Sequence, residues 1–156
     1  MDVTILRVTN QHLYDIEKIE TSLEHRILSS TTLSSTSNEN TYYYFVAKSN
    51  NNVVGYLAAE LLVDHFDMLA IAVNKDFRRQ NIATCLLNKL FSTCTELKIT
   101  EIFLEVRQNN LPAISFYEKS GFEKIGTRKK YYTDTNEDAY VYKKVVWTIT
   151  PLFLFT

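Results

Sequence analysis

Apolar residues recur along the chain with two different periods, and the switches between them divide it into elements. The opening run Val3 to Val8 alternates as a strand does, and Leu13, Ile16 and Ile19 then follow at helical spacing behind Asn10, a residue type suited to an N-cap. Ser29 to Thr41 is rich in Ser, Thr and Asn around a single Leu33, which predicts a mobile loop or a frayed short helix. Two β-rich runs, Tyr42 to Lys48 and Val53 to Val63, flank the polar cluster Ser49-Asn50-Asn51-Asn52 and predict an antiparallel hairpin. Met68 to Val73 and Ile102 to Val106 are short apolar runs of the kind that forms strands buried on both faces. Between them a polar step, Asn74 to Gln80, precedes Ile82, Leu86, Leu90 and Leu97, whose spacing predicts a helix over residues 82–96. Asn110, Pro112 and Gly121 suit the start and the left-handed end of a helix over 111–120, and β-rich stretches at 122–132 and 139–149 follow. Strand, helix, strand, helix predicts a right-handed parallel unit, and no repeat or linker interrupts it.

Composition narrows the class. A chain of 156 residues with 46% hydrophobic content is sized for one compact domain. Seventeen basic and eighteen acidic side chains leave a net charge of −1, without the basic excess that nucleic-acid binding uses. No apolar stretch approaches the ~20 residues that cross a bilayer, and Asp2 opens a strand-like run instead of a signal peptide. The expectation is a soluble, cytoplasmic protein with neither a nucleic-acid nor a membrane partner. Cys85 and Cys94, nine apart on one helix, stand roughly 13 Å from each other, too far for a disulfide or a shared metal, and three scattered histidines offer no zinc signature. No metal is expected. With glycine only at 55, 121 and 126, neither a P-loop nor a dinucleotide-binding GxGxxG can be written.

Several segments together carry a more specific signal. These are Ile71-Ala72-Val73, Phe77-Arg78-Arg79-Gln80-Asn81-Ile82-Ala83, Leu104-Glu105-Val106-Arg107, Asn110, Phe116 to Phe122, Tyr131-Tyr132 and Glu137-Asp138-Ala139. In this order they resemble the GNAT acetyltransferase superfamily over roughly residues 3 to 146, and within it most the bacterial ribosomal-protein alanine N-acetyltransferases, the RimI type. The resemblance implies an α/β (α+β) GNAT fold: a mixed, mostly antiparallel sheet with splayed central parallel strands and flanking helices. It implies acetyl-CoA as co-substrate and a protein N-terminus, such as that of a ribosomal protein, as acceptor. The expected domain spans 1–146, followed by an apolar tail over 147–156.

The resemblance also implies roles for residues. Arg79, Gln80, Asn81, Ile82, Ala83 and Thr84 match the pyrophosphate loop, where the free N–H groups of a helix start receive a diphosphate without a metal. Asn81 stands where the family has glycine; Asn tolerates positive φ, although its side chain crowds the space a phosphate would use. An ordinary amphipathic helix start is the alternative. The backbone of Ile71, Ala72 and Val73 matches the strand that pairs with the pantetheine arm, while their side chains suit a core. Asn110 combines an N-cap with a cofactor contact. Glu105 matches the catalytic base, and burial among Leu104 and Val106 would raise its pKa toward that task; an ion pair with Arg107, on the same strand face, is the rival reading. Asp67 is a weaker substitute. Tyr117 matches the acid that protonates the departing thiolate, against a core role between Phe116 and Phe122. Tyr131 and Tyr132 match the tyrosine pair of the acceptor groove, against aromatics on a solvated edge, and Arg128-Lys129-Lys130 read as a solvated face.

Two other functions stay open. A small-molecule amine acetyltransferase would keep the cofactor residues and change the acceptor side, where residues 29–41 lack the Pro-Trp-Ser often present in the ribosomal type. A non-catalytic acyl-CoA-binding module would fit Asn81 and the apolar tail.

Overall fold

The computed structural model describes residues 2–36 and 39–147, Ser30 by its backbone alone; of the expected tail only Trp147, which is exposed, falls within them. The described chain divides into two compact units, one within residues 1–63 and 67–90, the other within 64–66 and 91–156.

The first unit holds strands β1 (Thr4–Arg7), β2 (Tyr42–Ser49), β3 (Asn52–Leu61) and most of β4 (Phe66–Val73), neighbours in that order. β1 and β3 both pair antiparallel with β2. Asn50 and Asn51 close the β2–β3 hairpin at φ 48° and 67°, the two left-handed positions that a tight primed turn requires. The expected helix after β1 begins differently: Asn10–His12 form a 3₁₀ turn entered from Thr9, whose N–H donates to His12 Nδ1 at 3.0 Å, and α1 runs from Leu13 to Ser22. Asn10 is therefore inside the turn and is not its cap. The Ser/Thr segment forms the short helix, α2 (Ser30–Thr36), because Leu33 inserts into the core with Ile16, Ile19, Tyr44, Val46 and Tyr56. One buried leucine supplies the apolar anchor that the surrounding hydroxyl side chains lack.

A charge lies in that core. Glu20 is buried on α1; the Tyr56 hydroxyl donates to its Oε1 and the Ile27 N–H to its Oε2 at 2.8 Å. The carboxylate thus ties the loop after α1 to β3, and burial holds its pKa above the usual carboxylate range.

Helix α3 (Ile82–Leu97) begins in the first unit and ends in the second. The second unit also contains β5 (Glu101–Arg107), α4 (Leu111–Lys119), β6 (Glu123–Tyr132) and β7 (Glu137–Val145), with strand order β5-β7-β6 and both pairings antiparallel. α4 follows its sequence signals: Asn110 Oδ1 accepts from Ala113 N–H at 3.3 Å, Pro112 sits in the first turn, and Gly121 ends the helix at φ 90°. Neither β4 nor β5 is buried on both faces as expected. In each, buried residues alternate with half-exposed ones, so a continuous apolar run conceals a strand with one open face. In β5 the open face carries Glu101, Phe103, Glu105 and Arg107.

Replacing Glu20 by Ala leaves the buried Tyr56 hydroxyl without its acceptor and releases the Ile27 N–H, and should cost about 1–3 kcal/mol. Urea unfolding checks this as a lower midpoint at constant slope. For a carboxyl raised by burial, the contribution to stability is complete below its unfolded pKa and declines as pH rises through the folded value. That pH dependence should be absent from the Ala variant.

Candidate functional site

In the first unit, the chain leaving β4 passes through a 3₁₀ turn, Lys75–Phe77, whose cap Asn74 accepts from Asp76 N–H at 3.0 Å. Arg78 Nε then donates to the Val73 carbonyl at 3.2 Å, folding the polar step back on the strand end. Gly55 on β3 makes room: a Cβ there would lie 3.0 Å from the Ala72 carbonyl oxygen and 3.3 Å from side-chain carbons of Ile82 and Val73. Ala72 and Ile82 are buried, whereas Ile71, Val73 and Ala83 are half-buried and Arg79, Gln80, Asn81 and Thr84 exposed.

Arg79 and Asn81 both adopt φ 61°. Asn81 thus takes the left-handed conformation that the substitution of glycine by Asn put in question. The carbonyl of Asn81 accepts the first α3 bond, from Cys85 N–H at 3.0 Å. The N–H groups of Ile82, Ala83 and Thr84 precede that bond and have no helical carbonyl to meet, so they form the positive end of the helix. Exposed Arg79 adds a cation at this start. The arrangement suits a diphosphate, with Ile82 as the buried anchor of the turn.

In the second unit, Glu105 and Arg107 leave the half-exposed face of β5. Glu105 is not buried: its side chain is 30% exposed, and its Oε1 pairs with Arg128 Nε on β6 at 3.2 Å. The expected partner, Arg107, is engaged elsewhere. Its Nη1 and Nη2 bind Asp134 at 3.1 and 2.9 Å, and Nη1 also meets Glu137 at 3.3 Å. Arg128 lies 5.6 Å from the Tyr131 ring centroid and Arg107 4.0 Å from that of Tyr132, while the two tyrosine rings meet edge to face at 5.1 Å. Glu105, Arg128, Tyr131, Tyr132 and Arg107 therefore form one run of contacts on one face of the unit.

Tyr131 and Tyr132 lie at the end of β6, which among the described residues pairs only with β7, as the edge reading expects. Tyr132 is nevertheless half-buried, and burial pushes its phenol up to about 12. Lys129 Nζ pairs with Asp138 at 3.3 Å and Lys130 N–H donates to the same carboxylate at 2.8 Å, so the basic run is not simply solvated. These bonds hold the Asp138 carboxyl below its usual range. Tyr117 is buried in the core of the unit, its ring 5.6 Å from Phe116 and 5.8 Å from Phe122, and burial raises its phenol.

Sequence reasoning missed the Arg107 and Arg128 partnerships. The available signal was the acidic trio Asp134, Glu137 and Asp138 facing a basic β6 across one hairpin. It also missed an open cavity of about 590 Å³ between α1 and α2, lined among others by Tyr14, Glu17 and Ser34. Among the described residues, no group of three or more His, Cys, Asp or Glu is placed to hold a metal, and no helix is long and apolar enough to cross a membrane.

The model of the acetyltransferase (GNAT) family matches residues 10–122. This chain belongs to that family. The [ribosomal protein bS18]-alanine N-acetyltransferase of Escherichia coli (strain K12) is 32% identical over 91 residues, 57% of this chain and 62% of that protein. An N-alpha-acetyltransferase of Saccharolobus solfataricus is 44% identical over 81 residues, 51% of this chain and 48% of its own length. The matched stretches thus span half to under two thirds of these relatives. Among solved structures, the ribosomal-protein-S18-alanine N-acetyltransferase from Escherichia coli superposes with a TM-score of 0.86 at 26% identity, covering 99% of this chain and all of that one. The fold is the α+β GNAT fold, with a mixed sheet and flanking helices.

Acetyl-CoA binding should persist in EDTA, and Asn81→Gly should leave its affinity equal or higher, since glycine keeps the left-handed turn and removes the side chain. Asn81→Val puts a β-branched residue at positive φ and should weaken binding about tenfold, a strain of roughly 1–2 kcal/mol. Calorimetry measures both.

Proposed function

We propose that residues 1–146 act as one acetyltransferase domain that moves the acetyl group of acetyl-CoA to the α-amine of a protein N-terminus, a small first residue such as alanine of a ribosomal protein being preferred. The observation that carries this reading is Glu105: an accessible carboxylate on the open face of a strand, linked through Arg128 to a tyrosine pair. The named activities of the bacterial and archaeal relatives support it.

In this reading the N–H groups at the start of α3, with Arg79, Gln80 and Asn81, take the diphosphate, and the backbone of Ile71–Val73 takes the pantetheine arm. Asn110 contributes a further cofactor contact beside its capping bond. Glu105 removes a proton from the acceptor amine, through water. The amine nitrogen bonds to the acetyl carbon as the carbonyl π pair moves onto oxygen, backbone N–H groups of β4 stabilise that oxyanion, and its collapse breaks the carbon–sulfur bond. Tyr117 donates its proton to the departing thiolate. Its raised pKa keeps it protonated throughout the working range and makes proton loss to a thiolate of pKa about 8.5 uphill, so the donation must be concerted with bond breaking. Tyr131 and Tyr132 flank the first residue of the acceptor. An α-amine, with a pKa of roughly 7.7 to 8.0, offers far more free base at neutral pH than a lysine amine near 10.4.

Glu105→Gln and Tyr117→Phe should each lower kcat by about 10² or more with acetyl-CoA affinity near normal. Thiol release and acetyl-amine formation, followed together on a peptide beginning with alanine, check this; full kcat in either variant assigns that residue to structure. Because Tyr117 is raised above an ordinary phenol, the pH–rate profile should show no alkaline loss from it below about pH 10.

A further inference from the structure

Arg107 is the least expected member of the second unit's face. Its side chain is only 15% exposed, and its whole fork is directed at the β6–β7 connection. Besides the bonds to Asp134 and Glu137, Nη1 donates to Thr135 Oγ1 at 3.0 Å, and that hydroxyl donates to Glu137 Oε1 at 2.9 Å. One guanidinium therefore meets Asp134 and Thr135 of the connection, Glu137 at the start of β7, and the face of the Tyr132 ring. A planar fork suits this work; a lysine ammonium has neither the two parallel donors nor the stacking plane.

The connection depends on an anchor of this kind. Residues 133–136 are all exposed, and Asn136 takes φ 57°, so no apolar side chain of the turn holds it to the sheet. The β6–β7 register also shifts between Arg128 and Tyr132, and Lys130 turns to φ 49° with its N–H given to Asp138 instead of the ladder. Such a bulge bends the strand and frees the residues after it from the regular pairing. Tyr132 resumes pairing only opposite Glu137, itself an Arg107 partner. Arg107 leaves β5 two residues after Glu105 on the same face, so the rigid strand that carries the carboxylate also carries the group that holds the tyrosine.

We propose that Arg107 is a positioning residue that sets acceptor selection: it fixes the Tyr132 ring and the 133–136 turn in register with Glu105, without itself touching reacting atoms. The proposal rests on the reading of Tyr132 as an acceptor contact. Arg107→Gln should raise KM for a peptide beginning with alanine about tenfold, with a much smaller change in kcat and in KM for acetyl-CoA. Amide exchange of residues 133–136 should accelerate in the same variant while α4 and β5 keep their protection. Arg107→Lys, which retains the charge without the fork, should fall between wild type and Gln in both measurements, and provides the test if the Gln variant does not fold. In a Tyr132→Ala background, Arg107→Gln should add little to the peptide KM. An unchanged peptide KM beside faster exchange would reduce Arg107 to a structural clamp and overturn the proposal, as would unchanged exchange. Failure of the underlying acceptor reading has a separate signature: Tyr132→Ala alone leaves peptide KM unaltered.

Discussion

The two-residue period of β5 is the constraint on which the second unit's chemistry depends. Ile102, Leu104 and Val106 go into the core, and the same alternation compels Glu101, Phe103, Glu105 and Arg107 onto the other face. A one-residue slip would bury two carboxylates and a guanidinium, which is prohibitive without partners. Packing of the apolar set therefore places the carboxylate and the arginine in register, and the antiparallel pairing of β5 with β7 sets Glu105 opposite Val141 and Arg107 opposite Ala139. Small or apolar neighbours leave the two charges free to reach Arg128 and the 133–136 turn.

The first unit relies on backbone geometry instead of side-chain charge. Two left-handed residues, Arg79 and Asn81, turn the chain into the start of α3, where the first N–H groups have no helical carbonyl to meet and Ile82 is buried. Gly55 allows β3 to approach the end of β4 and Ile82 closely enough to seat that turn. Asn81 holds this turn at φ 61° because Asn, with its short polar side chain, tolerates a left-handed backbone.

Elements with local signals were legible in the sequence. Helix α4 carries Asn110, Pro112 and Gly121 at its ends, and the β2–β3 turn carries two asparagines that accept left-handed φ. Candidate residues in contiguous motifs, the Arg79–Thr84 helix start among them, could be placed the same way. What failed depended on partners distant in sequence. The burial assumed for Glu105 followed from apolar neighbours in the chain, but neighbours along a strand point to the opposite face. Its pairing with Arg128 and the engagement of Arg107 by Asp134 require the β5-β7-β6 order, which no local pattern encodes. Asn10 lost its capping role to Thr9 because a 3₁₀ turn precedes α1, a difference of one residue that propensity does not resolve.

The central claim is that this chain acetylates an α-amine, and the position of the transferred group tests it most directly. A peptide beginning with alanine and carrying an internal lysine offers both amines at equal concentration. After incubation with the chain and acetyl-CoA, fragmentation mass spectrometry locates the acetyl group. The account predicts acetylation at the alanine α-amine, abolished when Glu105 is replaced by Gln. Acetyl placed chiefly on the lysine, or transfer that survives the Glu105 substitution undiminished, would contradict it.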